Sequence, residues 1–158
     1  MIKSPKTNAV RLVDKAGAPC ELCSYDYDEQ AMDAVSVAKI LSVPAEIVFK
    51  TLVTRSEKGD IFVFCIPGNC ELDLKKAAKT AGSKRIELIK VRELVPITGY
   101  VRGGCSPIGM KRTFPTYIDE TATIYDWIYI NAGARGLQLK IQPPDLARTA
   151  KAEFADII

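Results

Sequence analysis

A chain of 158 residues, 47% hydrophobic with a formal net charge of +3, is long enough to bury one substantial core, and it contains no histidine. The missing imidazole excludes Ser-His and Cys-His nucleophilic couples, imidazole general bases and histidine-ligated zinc, so lysine, carboxylates, tyrosine, thiols and backbone dipoles must carry any chemistry. No stretch reaches the roughly 18 apolar residues of a membrane span, residues 1–6 lack the apolar centre of a signal peptide, and the five cysteines are an odd number. A cytoplasmic protein is expected, with no disulfide framework, membrane contact, metal or cofactor.

Ser4-Pro5 pairs a capping residue with a helix-starting proline, and with Gly17 as the stop it predicts a helix over 5–16. Cys20 to Tyr27 reads as a strand, inside a segment from Glu21 to Asp33 that holds five acids and no base. A second helix fits Ala34 to Leu41, ended by Ser42-Val43-Pro44. The next run, Ile47 to Val53, is an apolar, β-branched strand interrupted by Lys50. Alternation puts Val48, Lys50 and Leu52 on one face and Phe49, Thr51 and Val53 on the other. Neither face is polar, so the ammonium requires either water at a sheet edge, as a gatekeeper, or an anion.

Residues 57–60 join this strand to Ile61–Ile66 in a hairpin. Leu72 to Ala81 reads as a helix closed by Gly82, with Lys75 and Lys79 one turn apart and Lys76 beside them. A strand at Ile86–Ile89 and a short helix near Val91–Leu94 precede an irregular segment, Thr98 to Met110. Three strands follow around 116–118, 127–131 and 137–141, and Pro143-Pro144-Asp145 opens a last helix running towards Phe154. The order predicts a single domain over 1–158 of the α+β class, with a mixed, largely antiparallel, barrel-like sheet surrounded by helices. A doubly wound parallel sheet would need more crossover helices.

The irregular segments hold the chemistry. Gly99 to Arg112 packs four glycines, a proline and three bases into one loop. Gly103-Gly104 permits close approach of a ligand to backbone N–H groups, which can bind a carbonyl oxygen or a phosphate; a plain connector is the alternative. The loop is neither a Walker P-loop nor a dinucleotide fingerprint. Asn131 to Gly136 is a second glycine-marked turn, which as a structural hairpin needs no function. From Lys75 to Arg112 ten bases face two acids, a net of +8, as a phosphate-bearing partner would require, although charge runs also serve as solvated faces. Cys20 and Cys23 are three apart on a strand and point to opposite faces, which disfavours a zinc or redox pair. Cys105 as a nucleophile would need activation by Lys50 or by backbone dipoles.

Four motifs in order resemble the YbaK/EbsC aminoacyl-tRNA deacylases, free-standing relatives of the editing domain of bacterial prolyl-tRNA synthetases. They are Val48-Phe49-Lys50-Thr51-Leu52, Gly99-Tyr100-x-x-Gly103-Gly104-x-Ser106-Pro107-x-Gly109-x-Lys111, Pro115-Thr116-x-Ile118-Asp119 and Ala132-Gly133-x-Arg135-Gly136-Leu137. The resemblance covers nearly the whole chain. It implies a trans-editing enzyme of translation fidelity that clears mischarged tRNA, most readily cysteine from tRNA(Pro) and in some settings from tRNA(Cys), with prolyl-tRNA synthetase as a further partner. In that branch the substrate's own thiol attacks its ester carbonyl, leaving a thiolactone and free tRNA. The family's lysine falls on Lys50 and its Gly-x-x-x-Pro loop on Gly103 to Pro107, so Lys50, Gly103 and Gly104 are the expected catalytic set. Tyr25, Phe49, Ser106, Pro107, Gly109, Asn131, Gly133 and Gln138 are the expected substrate contacts. Lys75, Lys76, Lys79, Arg102, Lys111, Arg112 and Arg135 are expected to meet the tRNA. Asn131 stands where the branch usually has serine and Gln138 where it can have an acid, which bears on the amino acid cleared, alanine being another option. A module that binds tRNA or a nucleotide without turnover is the competing function.

Overall fold

In a computed structural model that describes residues 6–158, helix α1 (Asn8–Ala16) starts at Thr7, whose hydroxyl oxygen accepts the Val10 N–H, and ends at Gly17 in the left-handed conformation. The helix start expected at Ser4-Pro5 falls outside the described residues. Ala9, Val10 and Val13, spaced for one helical face, are fully buried. The chain continues through β1 (Cys20–Ser24), α2 (Ala34–Leu41), β2 (Phe49–Ser56), β3 (Ile61–Pro67), α3 (Leu74–Ala81), β4 (Ile86–Leu88), α4 (Leu94–Thr98), β5 (Thr116–Asp119), β6 (Ile128–Asn131), β7 (Leu137–Ile141), α5 (Pro143–Ala150) and β8 (Ala152–Ala155).

The strands form two sheets. One has the order β1-β7-β6, all antiparallel, and the other β4-β2-β3-β5-β8, in which β2 is antiparallel to β3 and β4 while β3-β5 and β5-β8 are parallel. The α+β class and the mixed pairing agree with the sequence reading, but the barrel-like closure does not occur. Among the described residues the sheets share a buried core, but their backbones pair only at an isolated parallel bridge between Val48 and Tyr129. One bridge cannot continue the ladder around a barrel, and β1, β4 and β8 are left as outer strands.

The last element departs from expectation too. The helix opened by Pro143 stops at Ala150, Lys151 takes a left-handed conformation, and residues 152–155 become β8. Pairing with β5 from Thr116–Ala152 to Asp119–Ala155 overrides the helical preference of the alanines and Glu153 in this run.

The largest core cluster packs α1 and α5 onto β6 and β7, a second packs α3 onto β3, and a small third one joins Val37 and Ala38 of α2 to Val48 and Tyr129 at the bridge. Cys20 packs against the first cluster and Cys23 against the third, so they do face opposite ways. Asp119 is fully buried at the end of β5. Its Oδ1 accepts the Ile157 N–H at 3.0 Å, and its Oδ2 accepts the Thr121 N–H and hydroxyl at 3.1 and 2.6 Å.

On β2, Arg55 donates to Glu93 Oε2 at 2.6 Å, and Glu93 Oε1 accepts the Lys90 N–H at 3.1 Å. The guanidinium first, and then the Lys90 N–H, pull the Glu93 carboxyl down from its ordinary 4.5 to about 2. A depressed carboxylate stabilises the fold above its ordinary pKa and loses that contribution as pH falls through the folded value. Wild type is therefore expected to melt above Glu93→Gln at pH 6 by a small, salt-sensitive margin, and the two melting curves should converge near pH 2.

Candidate functional site

Lys50 is the second residue of β2 and stands opposite Ile66 of β3. β2 is an inner strand, flanked by β3 and β4, and β6 abuts its start through the Val48 bridge. β4 pairs with β2 only over Thr54–Ser56, so at Lys50 itself the ladder runs on the β3 side alone, and what opposes an edge gatekeeper is the half-buried position of its side chain in a cleft. Its neighbours Val48 and Phe49 are buried, at 1% and 2% exposure. The half-buried ammonium donates one long hydrogen bond, 3.4 Å, to the Gly68 carbonyl. Among the described residues no carboxylate lies within ion-pair distance of it.

Gly68 follows β3 directly, and its N–H donates to the Val48 carbonyl at 2.8 Å. A Cβ there would come within 2.6 Å of Ala34 Cβ and 2.8 Å of the Val48 oxygen, so α2 seats against this residue and only glycine fits. The sequence reading passed over it; the turn pair Pro67-Gly68 at a strand end was the available signal.

Lys50 opens into a cleft of about 450 Å³, a volume suited to a small molecule or the end of a larger one. Its walls are residues 48–51 of β2, Gly68, the segment from Glu29 to Ala34, Arg102, Gly103 and Cys105 of the glycine loop, and Asn131 and Gln138 of the other sheet. The cleft thus brings together Lys50, Phe49, Arg102, Gly103, Asn131 and Gln138 from the sequence-based set. Glu29 and Asp33, read from sequence only as part of an acidic run, also line it.

Gly103 has a φ of +81°, and a Cβ on it would lie 2.7 Å from Met32 Sδ. Gly104 is buried against the Ala134–Arg135 backbone, and its N–H donates to the Val101 carbonyl at 2.9 Å. The expected donor pair of Gly103 and Gly104 is thus altered, because a tight turn engages the Gly104 amide. Among the described residues the N–H groups of Gly103 and Cys105 donate to no other group, and both residues line the cleft.

Ser106, Pro107, Gly109 and Gly133 shape the loop from behind rather than line the cleft. The Ser106 hydroxyl oxygen accepts the Ile108 N–H at 3.2 Å, the Tyr100 hydroxyl donates to the Ile108 carbonyl at 2.6 Å, and Gly109 and Gly133 pack against Tyr100. Asn131 is fully engaged. Its Nδ2 donates to the carbonyls of Gly103 (2.9 Å) and Ala134 (3.1 Å), and its Oδ1 accepts the N–H groups of Gly133 and Ala134. Gln138 differs: it is 5% exposed and its Oε1 is buried with no partner. Tyr25 is half-buried outside the lining, and burial raises its hydroxyl pKa.

Burial pushes the Cys105 thiol up to about 12, so it is protonated at neutral pH and ill-suited to nucleophilic attack. Cys105→Ala keeps the backbone N–H, and it is expected to change turnover less than about threefold in a single-turnover assay, a small effect set against the 10²–10³ losses typical of catalytic groups. Among the described residues no group of three or more His, Cys, Asp or Glu side chains is arranged to hold a metal.

Of the basic residues, Arg102 stands exposed at the cleft, and Arg135 contacts the loop behind it. Lys75 and Lys79 are exposed on α3 away from the lining, as is Arg112; Lys111 donates at 3.5 Å to the Pro96 carbonyl. Lys76 is tied to the chain end, donating to Asp156 at 3.0 Å and to the Ile158 carbonyl at 2.7 Å.

Residues 28–149, which hold both the lysine and the glycine loop that face each other across the cleft, match a family model described as "Aminoacyl-tRNA editing domain". The chain belongs to the aminoacyl-tRNA editing domain family. This editing domain is 44% identical over 152 residues to EbsC of Enterococcus faecalis, a protein named as a candidate Cys-tRNA(Pro)/Cys-tRNA(Cys) deacylase, with 96% of this chain and 93% of that protein covered. It is also 30% identical over 129 residues to the proline–tRNA ligase of Lactobacillus gasseri, where 80% of this chain spans 22% of the ligase. A crystal structure of a candidate trans-editing enzyme for prolyl-tRNA synthetase superposes with a TM-score of 0.78 at 23% identity, covering 97% of this chain and 98% of that one, which shows a shared fold. No helix among the described residues is long and apolar enough to cross a membrane.

Proposed function

We propose that this editing domain is a free-standing deacylase that releases cysteine from mischarged tRNA(Pro), and from tRNA(Cys) where it meets it, in the cytoplasm. The observation that carries the reading is the pairing of Lys50, which has no carboxylate partner among the described residues, with the unpaired N–H groups of Gly103 and Cys105 in one cleft. Lys50 binds an anionic or hydroxyl group at the terminal adenosine. The two N–H groups meet the ester carbonyl oxygen and stabilise the negative charge it gains.

The resemblance to the YbaK/EbsC deacylases implies a nucleophile carried by the substrate, which suits a chain with no histidine and a Cys105 held protonated. The cysteine thiol forms a C–S bond to its own ester carbonyl, and the C–O bond to the ribose breaks. The bonding pair leaves on the ribose oxygen, which takes up the thiol's proton. The products are a thiolactone, which water opens, and tRNA with a free hydroxyl. The domain's contribution is to hold thiol and carbonyl in reacting geometry. Gln138 Oε1, buried without a partner, accepts from the substrate's α-ammonium, and Glu29 and Asp33 supply the negative charge that Gln138 lacks.

A tRNA(Pro) panel charged with Cys, Ala, Ser and Pro tests this reading. Release of free tRNA is expected from the cysteine ester alone, with a rate that rises with pH towards the ordinary thiol pKa of about 8.5. Equal release of alanine would reassign the amino acid, and tight binding without release from any ester would make the domain a binding module. Docking on prolyl-tRNA synthetase completes the reading; a synthetase titration that leaves tRNA selectivity unchanged would remove that part.

A further inference from the structure

Asn131 at the end of β6 and Arg135 in the turn that follows hold two consecutive carbonyls of the glycine loop. Arg135 Nε donates to the Arg102 carbonyl at 2.9 Å, and Asn131 Nδ2 donates to the Gly103 carbonyl at 2.9 Å. No peptide bond among the described residues is cis, so the N–H of each unit points opposite to its carbonyl. The Gly104 N–H accordingly reaches back to the Val101 carbonyl. The Arg102 carbonyl is drawn towards Arg135, which leaves the Gly103 N–H directed away from the turn, with Gly103 itself on the cleft wall. The fit between loop and turn is close, since a Cβ on Gly104 would stand 3.0 Å from the Arg135 nitrogen. The other end of the Arg135 guanidinium lies 3.7 Å from Glu29 Oε1, on the opposite rim.

We infer that Arg135 is a positioning residue: it orients the Arg102–Gly103 peptide so that the Gly103 N–H meets the ester carbonyl, while Asn131 fixes the peptide that follows. This rests on the deacylase reading above. It replaces the tRNA contact expected of Arg135 and the substrate contact expected of Asn131, whose polar atoms all have partners within the chain. A guanidinium suits the task because its Nε–H and Nη groups form a rigid planar fork, which reaches a carbonyl on one side and a carboxylate on the other; an ammonium is a single point.

The test compares Arg135→Lys and Arg135→Met with wild type in three measurements. The first is the single-turnover rate on saturating cysteinyl-tRNA(Pro), and the second is the Kd for uncharged tRNA over a salt series. The third is the crystal structure of Arg135→Met. Both variants are expected to lose about 10²-fold in the saturated rate, as for a misplaced oxyanion donor, with Kd and its salt slope unchanged. The Arg102–Gly103 peptide should turn in the Arg135→Met crystal. A phosphate-binding role would give the reverse: near-normal Arg135→Lys, weaker binding by Arg135→Met and a salt slope smaller by about one, which overturns the inference. An unmoved peptide in the crystal overturns it whatever the activity. If wild type releases no amino acid yet the peptide turns in Arg135→Met, the functional reading fails and the orienting role stands.

Discussion

Lys50→Ala is expected to slow single-turnover release of cysteine from tRNA(Pro) by about 10²–10³-fold, the range measured when a preorganised charge or donor is removed from a catalytic site. The half-buried ammonium has no carboxylate partner among the described residues, only a 3.4 Å contact with the Gly68 carbonyl. A lysine held that way contributes little to folding, and Lys50→Met, which keeps the aliphatic stem, should unfold at or above the wild-type temperature. Loss of rate together with retained or increased stability is the pattern of a functional charge. A stability loss with unchanged rate would mark Lys50 as structural. Lys50→Arg separates two roles: if the lysine binds a phosphate, arginine preserves much of the rate, and if it needs the narrow space beneath Gly68, arginine does not.

Asp119→Ala is expected to destabilise the fold by about 3 kcal/mol, which for a chain of this size lowers Tm by roughly 6–12 °C. The carboxylate is fully buried and accepts three hydrogen bonds, from the Ile157 N–H and from both donors of Thr121. Alanine leaves all three donors without their acceptor. The effect reaches the chain end, because Ile157 is itself fully buried against α3 and the same segment is held by Lys76 through Asp156. Asp119→Asn keeps one acceptor oxygen and should lose less. Thermal unfolding of the two variants checks the order, and equal melting temperatures for Asp119→Ala and wild type would refute it.

What could be read from sequence divides along the range of the interactions. Lys50 announced itself locally, as a charge between apolar β-branched neighbours, and Gly103-Gly104 did so as a glycine pair in a loop. The roles of Gly104, Asn131 and Lys76 were not legible, since each depends on a partner chosen by tertiary packing. Gly104 binds Val101 around a turn, Asn131 reaches Gly103 across 28 positions, and Lys76 meets a chain end 82 positions away. The same holds for β8, whose Ala152-Glu153-Phe154-Ala155 sequence carries no strong strand signal until β5 offers a parallel edge. Open sheets were hidden for a similar reason, because closure depends on register between strands far apart in the chain. Gly68 is the exception: the turn pair was visible, but its importance comes from the 2.6 Å approach that Ala34 would impose.

The bridge between Val48 and Tyr129 gives the cleft a seam. Val48 to Thr51 belong to one sheet, Asn131 and Gln138 to the other, and all of them line the cavity. On the deacylase reading, an aminoacyl group seated there would touch both sheets at once. Beneath the seam the halves already share one core, because Phe49, Cys65 and Ile118 of one sheet are buried in the same cluster as Ile128, Ile130 and Leu139 of the other, so the chamber is formed before its cargo arrives.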